Sequence, residues 1–171
     1  SRLENLRKSA INEIELRGQF PANEFRRIVD STVKMLDSFH AMNDIIQSDL
    51  VVSEGEKVLL QYTASERAQL CMIISHLYQV LASSLKLEYP INDPLPSISE
   101  ARNCLLAKIF QFRKESRDAE TKGGPFVRDK DYELLYAYIL VTGQLAEEIG
   151  KVEKEVIKLY GVMDEDSLRL K

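Results

Sequence analysis

The chain has 171 residues, 44% of them hydrophobic and 29% charged, which is the composition of a globular domain and excludes a disordered or collagen-like chain. Its formal net charge of -4 argues against a domain that mainly neutralises phosphates, because such a domain usually carries a clustered basic face. Cys71 and Cys104 lie inside apolar helical patterns and have no metal-binding or redox spacing. We therefore expect one domain over residues 1–171, with both cysteines as reduced core thiols and no nucleic-acid partner.

Two amphipathic helices are predicted at the start of the chain. The first spans about residues 2–17 and ends at Gly18. Its polar face mixes both charges and its apolar face lacks aromatic residues, so we expect no direct insertion into a membrane. The second is long, spans about residues 22–47 and begins after Pro21. The apolar stripe of the first helix consists of Leu3, Leu6, Ala10 and Ile14.

The most apolar stretch of the chain, residues 68–85, predicts the central helix of a bundle. It contains no charged residue, and its apolar side chains recur at helical spacing. A membrane span would leave too many polar groups unpaired in hydrocarbon, so we predict a soluble helix instead. The polar residues of the stretch are Gln69, Ser75, His76, Gln79, Ser83 and Ser84.

Three pairs of residues have the spacing of a capping box, in which a serine or threonine precedes a glutamate by three positions. The first pair predicts only a short helical turn, the second begins the central helix over about 64–87, and the third begins a helix over about 98–116. The pairs are Ser53 with Glu56, Thr63 with Glu66, and Ser97 with Glu100.

Two connections separate the later helices. Residues 89–97 hold three of the five prolines and predict an ordered, extended segment. Residues 117–130 mix charges around two glycines and predict a surface loop. The last helix is predicted over about 131–160, and Gly161 ends it. Because no stretch alternates convincingly as a strand, the sequence predicts an all-α fold, an antiparallel bundle of about five helices with three of them long.

Two glycines, Gly143 and Gly150, lie seven positions apart inside the predicted last helix. Each costs roughly 1 kcal/mol relative to alanine in a helix interior. We therefore expect a neighbouring helix to approach closely at these positions.

The residues predict neither an enzyme nor a cofactor or metal site. Asp37 and His40 have the spacing that lets a carboxylate and an imidazole share a helix face, but a di-iron site would need that motif twice, with further glutamates. The second histidine, His76, lies on another helix, which leaves little material for a metalloenzyme or a Ser-His-Asp hydrolase. Gly123 and Gly124 lack the lysine and the flanking elements of a phosphate loop.

Two segments are candidate interaction surfaces. One is formed by tyrosines of the last helix, although aromatic residues at helical spacing also occur in the core and at its rim. The other is the proline-rich connection. The candidate residues are Tyr132, Tyr136, Asp93, Pro94, Leu95 and Pro96.

A series of motifs runs through nearly the whole chain. They are ELRGQFP at Glu15–Pro21, IVDSTVKMLDSFHAM at Ile28–Met42, Glu66-Arg67, VLAS at Val80–Ser83, DPLP at Asp93–Pro96, and YELLYAYILVTGQLAEEI at Tyr132–Ile149 leading to Leu159–Gly161. Their order resembles the soluble region that follows the last membrane span in fungal proteins of the aromatic-acid-exporter type, which include the brefeldin A sensitivity protein. Such proteins are similar to exporters of the fusaric-acid-resistance type.

This resemblance implies that membrane helices precede the chain in a longer protein and that the domain lies on the cytoplasmic side of a membrane. The implied partner is the membrane portion of its own chain, with a homo-oligomer or another protein as a further partner. The expected function is that of a regulatory or assembly domain of a membrane transporter, without catalysis. The alternative is a freestanding helical adaptor that binds a protein partner through the candidate surfaces.

Overall fold

The computed structural model describes residues 4–5, 20–48, 52–92, 95–120 and 127–163. These residues confirm the predicted all-α helical bundle. The helices are α1 Ala22–Ser48, α2 Glu54–Tyr62, α3 Ala64–Leu87, α4 Ile98–Glu120 and α5 Glu133–Tyr160. A 3-10 helix, Asp129–Tyr132, comes directly before α5. The two short strands are β1 Ile91–Asn92 and β2 Val162–Met163.

The helix starts show which capping predictions hold. Ser53 and Ser97 accept hydrogen bonds from the backbone N–H groups of Glu56 and Glu100, as their spacing predicts. The turn predicted after Ser53 is a helix of nine residues. Thr63 behaves differently, because its hydroxyl donates to the carbonyl of Leu59 at 2.9 Å and so belongs to the end of α2.

Other helix ends differ from the predicted bounds. Helix α4 continues to Glu120, four residues beyond its predicted end, because its mixed-charge residues are good helix formers. In the turn before this extension, Gln111 donates to Glu115 at 2.8 Å, four positions later. The helix predicted over residues 2–17 lies outside the described residues, apart from positions 4 and 5, which are helical.

The proline-rich connection forms a strand that the sequence did not predict. Strand β1 pairs in parallel with β2, and Ile91 lies opposite Val162. Each strand follows a helix whose last turn is closed by a residue with positive φ, Glu88 at 54° and Gly161 at 84°. This pairing holds the carboxyl ends of α3 and α5 beside each other, which periodicity within either helix cannot reveal.

Contacts divide the chain into two compact units. The first unit comprises Ser1–Leu36, Leu77–Leu95 and Glu147–Lys171. The second unit comprises Asp37–His76 and Pro96–Ala146. Each unit has its own buried apolar side chains, and α1, α3 and α5 contribute residues to both. The expectation of one domain over residues 1–171 stays a prediction.

Helix α3 is the one helix among the described residues whose length and composition would allow it to cross a membrane. The core helix of a soluble protein has the same properties, so this finding alone does not separate the two cases. Its buried side chains alternate at spacings of four and three residues, as on one face of a packed helix. They are Leu70, Ile74, Leu77, Leu81 and Ser84.

The prediction that both cysteines are core residues is wrong. Cys71 and Cys104 are free thiols with exposed side chains. Each stands next to a fully buried leucine, Leu70 and Leu105 respectively. Because one residue turns a helical side chain through about 100°, Cys71 and Cys104 are directed away from the face that buries these leucines.

Candidate functional site

The tyrosines of the candidate surface belong to an aromatic cluster in the second unit. The ring of Tyr132 lies 6.3 Å from that of Phe112 and 6.1 Å from that of Tyr136, measured between centroids. Phe112 in turn contacts Tyr62 at 4.9 Å. These separations are typical of packed aromatic pairs, so the cluster joins α2, α4, the 3-10 helix and α5.

Burial corrects the role expected of one of these tyrosines. The side chain of Tyr132 is only 3% exposed, so it is a core residue and does not present its ring to a partner. Its position just before α5 turns the ring against Phe112 of α4. Tyr136 is half-buried and retains an accessible edge. Tyr132 is therefore a core residue, and Tyr136 lies at the rim of the core.

Two cations cover the rings of this cluster. The ammonium of Lys108 lies 4.5 Å from the centroid of Tyr62, and the guanidinium of Arg113 lies 5.5 Å from that of Tyr132. Burial raises the pKa of Tyr132 above its ordinary value, while a hydrogen bond with Ser116 and the charge of Arg113 act in the opposite direction. Tyr132 is therefore neutral at physiological pH and serves as a packed hydrogen-bonding group.

A buried carboxylate fixes the start of α2 to the 3-10 helix. Asp131, 6% exposed, accepts a hydrogen bond from the Ser53 hydroxyl at 2.7 Å and another from the backbone N–H of Arg128 at 2.8 Å. A Cβ atom on Gly55 would collide with the Asp131 carboxylate. The capping spacing identified Ser53 in the sequence, but nothing in the sequence identified its distant partner.

The proline-rich candidates are only partly described. Asp93 and Pro94 lie outside the described residues, whereas Leu95 and Pro96 are half-buried. Leu95 belongs to the first unit and Pro96 to the second. An interaction role for this connection stays a prediction.

Titratable and nucleophilic groups in the second unit form no metal cluster within the described ranges. No group of three or more His, Cys, Asp or Glu side chains there is arranged to hold a metal ion. His40 and His76 are exposed.

The thiol of Cys71 contacts the hydroxyl of Tyr138 at 3.2 Å. Burial, and then this contact, raises the pKa of Tyr138 well above its ordinary value.

The first unit exposes an apolar face of α1. Val33 and Leu36 are 44% and 54% exposed, although Ile28 and Met35 on the neighbouring side of the same helix are buried. Half-buried Val29 lies at helical spacing from Val33 and extends this face toward the start of α1. Helical spacing in the sequence places Ile28, Val29, Met35 and Leu36 on one apolar stripe without Val33, and the fold buries only part of that stripe.

A cavity of about 190 Å³ opens at the end of the aromatic cluster in the second unit. Arginine side chains from α4 and from the segment before the 3-10 helix line it, together with the buried ring of Tyr132. The sequence prediction placed Arg113 in the helix over 98–116 but Arg117 and Arg128 in a surface loop over 117–130, so it did not bring these arginines together. The sequence feature that could have indicated this site is the pair Arg113 and Arg117, which lie one helical turn apart.

No protein-family model matches the chain, and comparisons with curated proteins and with solved structures find no match either. The resemblance to fungal exporters of the aromatic-acid type thus rests on the sequence motifs and stays a prediction.

Proposed function

We propose that this chain is the cytosolic regulatory or assembly domain of a fungal membrane transporter-like protein and has no catalysis of its own. The observation that supports an assembly role is the exposed apolar face of α1 in the first unit, centred on Val33 and Leu36. Apolar side chains that a fold leaves together in water often mark an interaction surface. The proposed occupant is the same face of a second copy, paired about a two-fold axis.

The physical basis of this pairing is the removal of apolar surface from water. Each Å² of apolar surface buried contributes about 25 cal/mol to association. Burying the valines and the leucine of two facing α1 helices therefore stabilises a dimer. A two-fold arrangement buries Val33 and Leu36 of both copies at once. A subunit contact of this kind would hold the membrane portions of two chains in register.

The test compares a variant of this face with a matched control. In Leu36→Glu the new carboxylate lies in the proposed interface, whereas in Leu140→Glu it lies on α5 in the second unit, where the leucine is 67% exposed. Sedimentation equilibrium over a range of concentrations should show self-association of the original chain and of Leu140→Glu, with Leu36→Glu monomeric. A chain that stays monomeric throughout, or a Leu36→Glu variant that associates normally, contradicts the assembly role.

The membrane part of the proposal has a separate test. The coding sequence upstream of Ser1 should encode several spans of about 20 apolar residues, with positive charge on the flank that leads into this domain. A reading frame that begins near Ser1 without spans would reject the transporter and favour the adaptor. The adaptor's contact would then be sought at Tyr136 and Pro96, since Tyr132 is buried.

A further inference from the structure

Three arginine side chains of the second unit converge on one cavity. Arg113 and Arg117 come from α4, and Arg128 comes from the segment just before the 3-10 helix. Ser116, Tyr132 and Asp129 also line the cavity. The lining thus holds three arginines and one acidic residue, in a chain whose formal net charge is -4.

The arginines differ in how they are held. Arg113 forms an ion pair with Asp129 at 2.6 Å and lies over the ring of Tyr132, so its guanidinium is already oriented. Arg117 and Arg128 are exposed and form no ion pair with any residue in the described part of the chain. Like charges one turn apart on a helix repel each other, so a bound anion would relieve the repulsion between Arg113 and Arg117.

We propose that this cavity binds the phosphate group of a small phosphate monoester. The planar guanidinium fork matches two phosphate oxygens at once. A volume of about 190 Å³ is smaller than the roughly 300 Å³ at which pockets for drug-sized ligands begin, so it suits a phosphoryl group better than a whole nucleotide cofactor. The site does not depend on the transporter proposal.

An adjoining depression supports an organic ester over the free ion. It shares Arg113 and Arg117 with the cavity and adds Lys114, Asp118 and Phe110, which is 60% exposed. An apolar group attached to the phosphate can lie on this ring while the phosphate occupies the arginine cavity. We therefore expect phenyl phosphate to bind more tightly than inorganic phosphate.

The experiment titrates the 171-residue chain with inorganic phosphate and with phenyl phosphate and follows binding by calorimetry and by backbone amide chemical shifts. The double variant Arg117→Gln/Arg128→Gln should weaken both by at least about tenfold, as for the loss of charged hydrogen bonds. The matched control is Lys86→Gln/Lys130→Gln, which removes the same charge from residues that line neither the cavity nor the adjoining depression. Inorganic phosphate should bind this control within about twofold of the original chain.

Two further variants sharpen the result. Asp129→Asn should strengthen phosphate binding, because it releases Arg113 and removes the one carboxylate that lines the cavity. Phe110→Ala should abolish the preference for phenyl phosphate. Circular dichroism of each variant verifies that the helices are retained.

Several outcomes would overturn the proposal. They are the absence of saturable binding, equal weakening in the lysine control, and weaker binding in Asp129→Asn. A chain that pellets with vesicles containing phosphatidic acid yet binds neither soluble phosphate would assign the arginines to a lipid surface and reject the soluble ligand. If Leu36→Glu does not abolish self-association, the assembly role is contradicted but the phosphate-binding proposal is not. The two proposals are therefore tested independently.

Discussion

The carboxylate of Asp131 accepts a hydrogen bond from the hydroxyl of Ser53 at 2.7 Å, although 78 positions separate these residues in the chain. The same hydroxyl accepts a hydrogen bond from the backbone N–H of Glu56 and so caps α2. One serine thus closes a helix start and satisfies a buried carboxylate of the 3-10 helix. Both parts of this arrangement can be tested by substitution.

Ser53→Ala should destabilise the chain by about 1–3 kcal/mol, because it removes a helix cap and leaves buried Asp131 with one donor fewer. Ser97→Ala is the matched control, since Ser97 caps α4 through Glu100 and has no distant partner among the described residues. We expect about 1 kcal/mol for the control. Urea unfolding gives both free energies.

A double-mutant cycle with Asp131→Ala isolates the hydrogen bond itself. The two single substitutions should be non-additive by about 0.5–3 kcal/mol, because each removes the same contact. Additive effects of Ser53→Ala and Asp131→Ala, or equal losses in Ser53→Ala and Ser97→Ala, would show that the long-range bond contributes nothing.

Gly55→Ala should destabilise the chain by about 1–3 kcal/mol, because the new methyl group collides with the Asp131 carboxylate and forces it away from its donors. Gly150→Ala should instead stabilise by about 0.5–1 kcal/mol, since nothing lies within 4 Å of the added atom and alanine favours a helix. Thermal unfolding of the two variants measures the contrast. If Gly55→Ala leaves the free energy of unfolding unchanged, the Asp131 carboxylate moves aside without loss of stability, and the prediction is wrong.

The carboxyl ends of α3 and α5 offer a reciprocal pair of substitutions. Glu88 has a φ of 54°, a conformation that costs a side-chain-bearing residue about 1–2 kcal/mol, so Glu88→Gly should stabilise by up to about 1 kcal/mol. Gly161 has a φ of 84°, and Gly161→Ala should destabilise by about 1 kcal/mol. Chemical unfolding of Glu88→Gly and Gly161→Ala measures both changes in the free energy of unfolding. The same sign of effect in both variants would contradict this reading of the two helix ends.

Alkaline stability should depend on Tyr138. Burial, and then its contact with Cys71, raises its pKa above the ordinary value of 10.0, so the folded chain holds this proton more strongly than the unfolded chain does. The stabilisation is present below pH 10 and is lost as pH rises above it. Tyr138→Phe should therefore show a shallower loss of stability at alkaline pH.

Ultraviolet titration of tyrosinate provides the check on Tyr138. Cys71→Ala should lower the pKa of Tyr138 only in part, because burial is the larger cause of the shift. The loss of one tyrosine that titrates near pH 10 in Tyr138→Phe would contradict the raised pKa of Tyr138.

Acid stability should depend on Glu155 in the first unit. A hydrogen bond from Lys158 lowers its pKa below the ordinary value of 4.5 against the effect of burial, and Arg27, at 3.0 Å, lowers it further. A lowered pKa stabilises the fold above pH 4.5, and this contribution is lost as pH falls below it. Arg27→Gln should therefore be less stable than the original chain at neutral pH.

Neighbouring Arg26→Gln is the control for that substitution, because Arg26 is exposed and forms no ion pair with a residue that the structure describes. The difference in urea midpoint between the two variants should narrow as pH falls below 4.5. A difference that is the same at both pH values would attribute the effect of Arg27 to packing of its side-chain stem.

Local patterns were sufficient for most of the helices. The apolar spacing and flanking charges located α3 at residues 64–87, and the serine caps of α2 and α4 bind the N–H groups that their spacing predicts. These features depend on neighbours three or four positions away, which is the range that helix geometry couples. The mixed-charge end of α4 was missed because charge composition alone does not separate a surface loop from an exposed helix.

Glycine positions show where local reasoning ends. Close approach was predicted at both glycines of α5, and the structure places Arg102 against Gly143 but nothing within 4 Å of Gly150. A glycine costs the same helix propensity in either position. Only the packing of a neighbouring helix decides which one is crowded.

The sequence by itself determined an all-α chain, the positions of its long helices and two of its caps, because each follows from side chains within one or two helical turns. Tertiary structure alone decided that Tyr132 is buried, that Ile91 pairs with Val162, that Ser53 meets Asp131, and that three arginines share one cavity. Those contacts join residues far apart in the chain, so no local periodicity records them. They depend on which helix faces the fold brings together, and that choice is made by the burial of apolar surface over each unit as a whole.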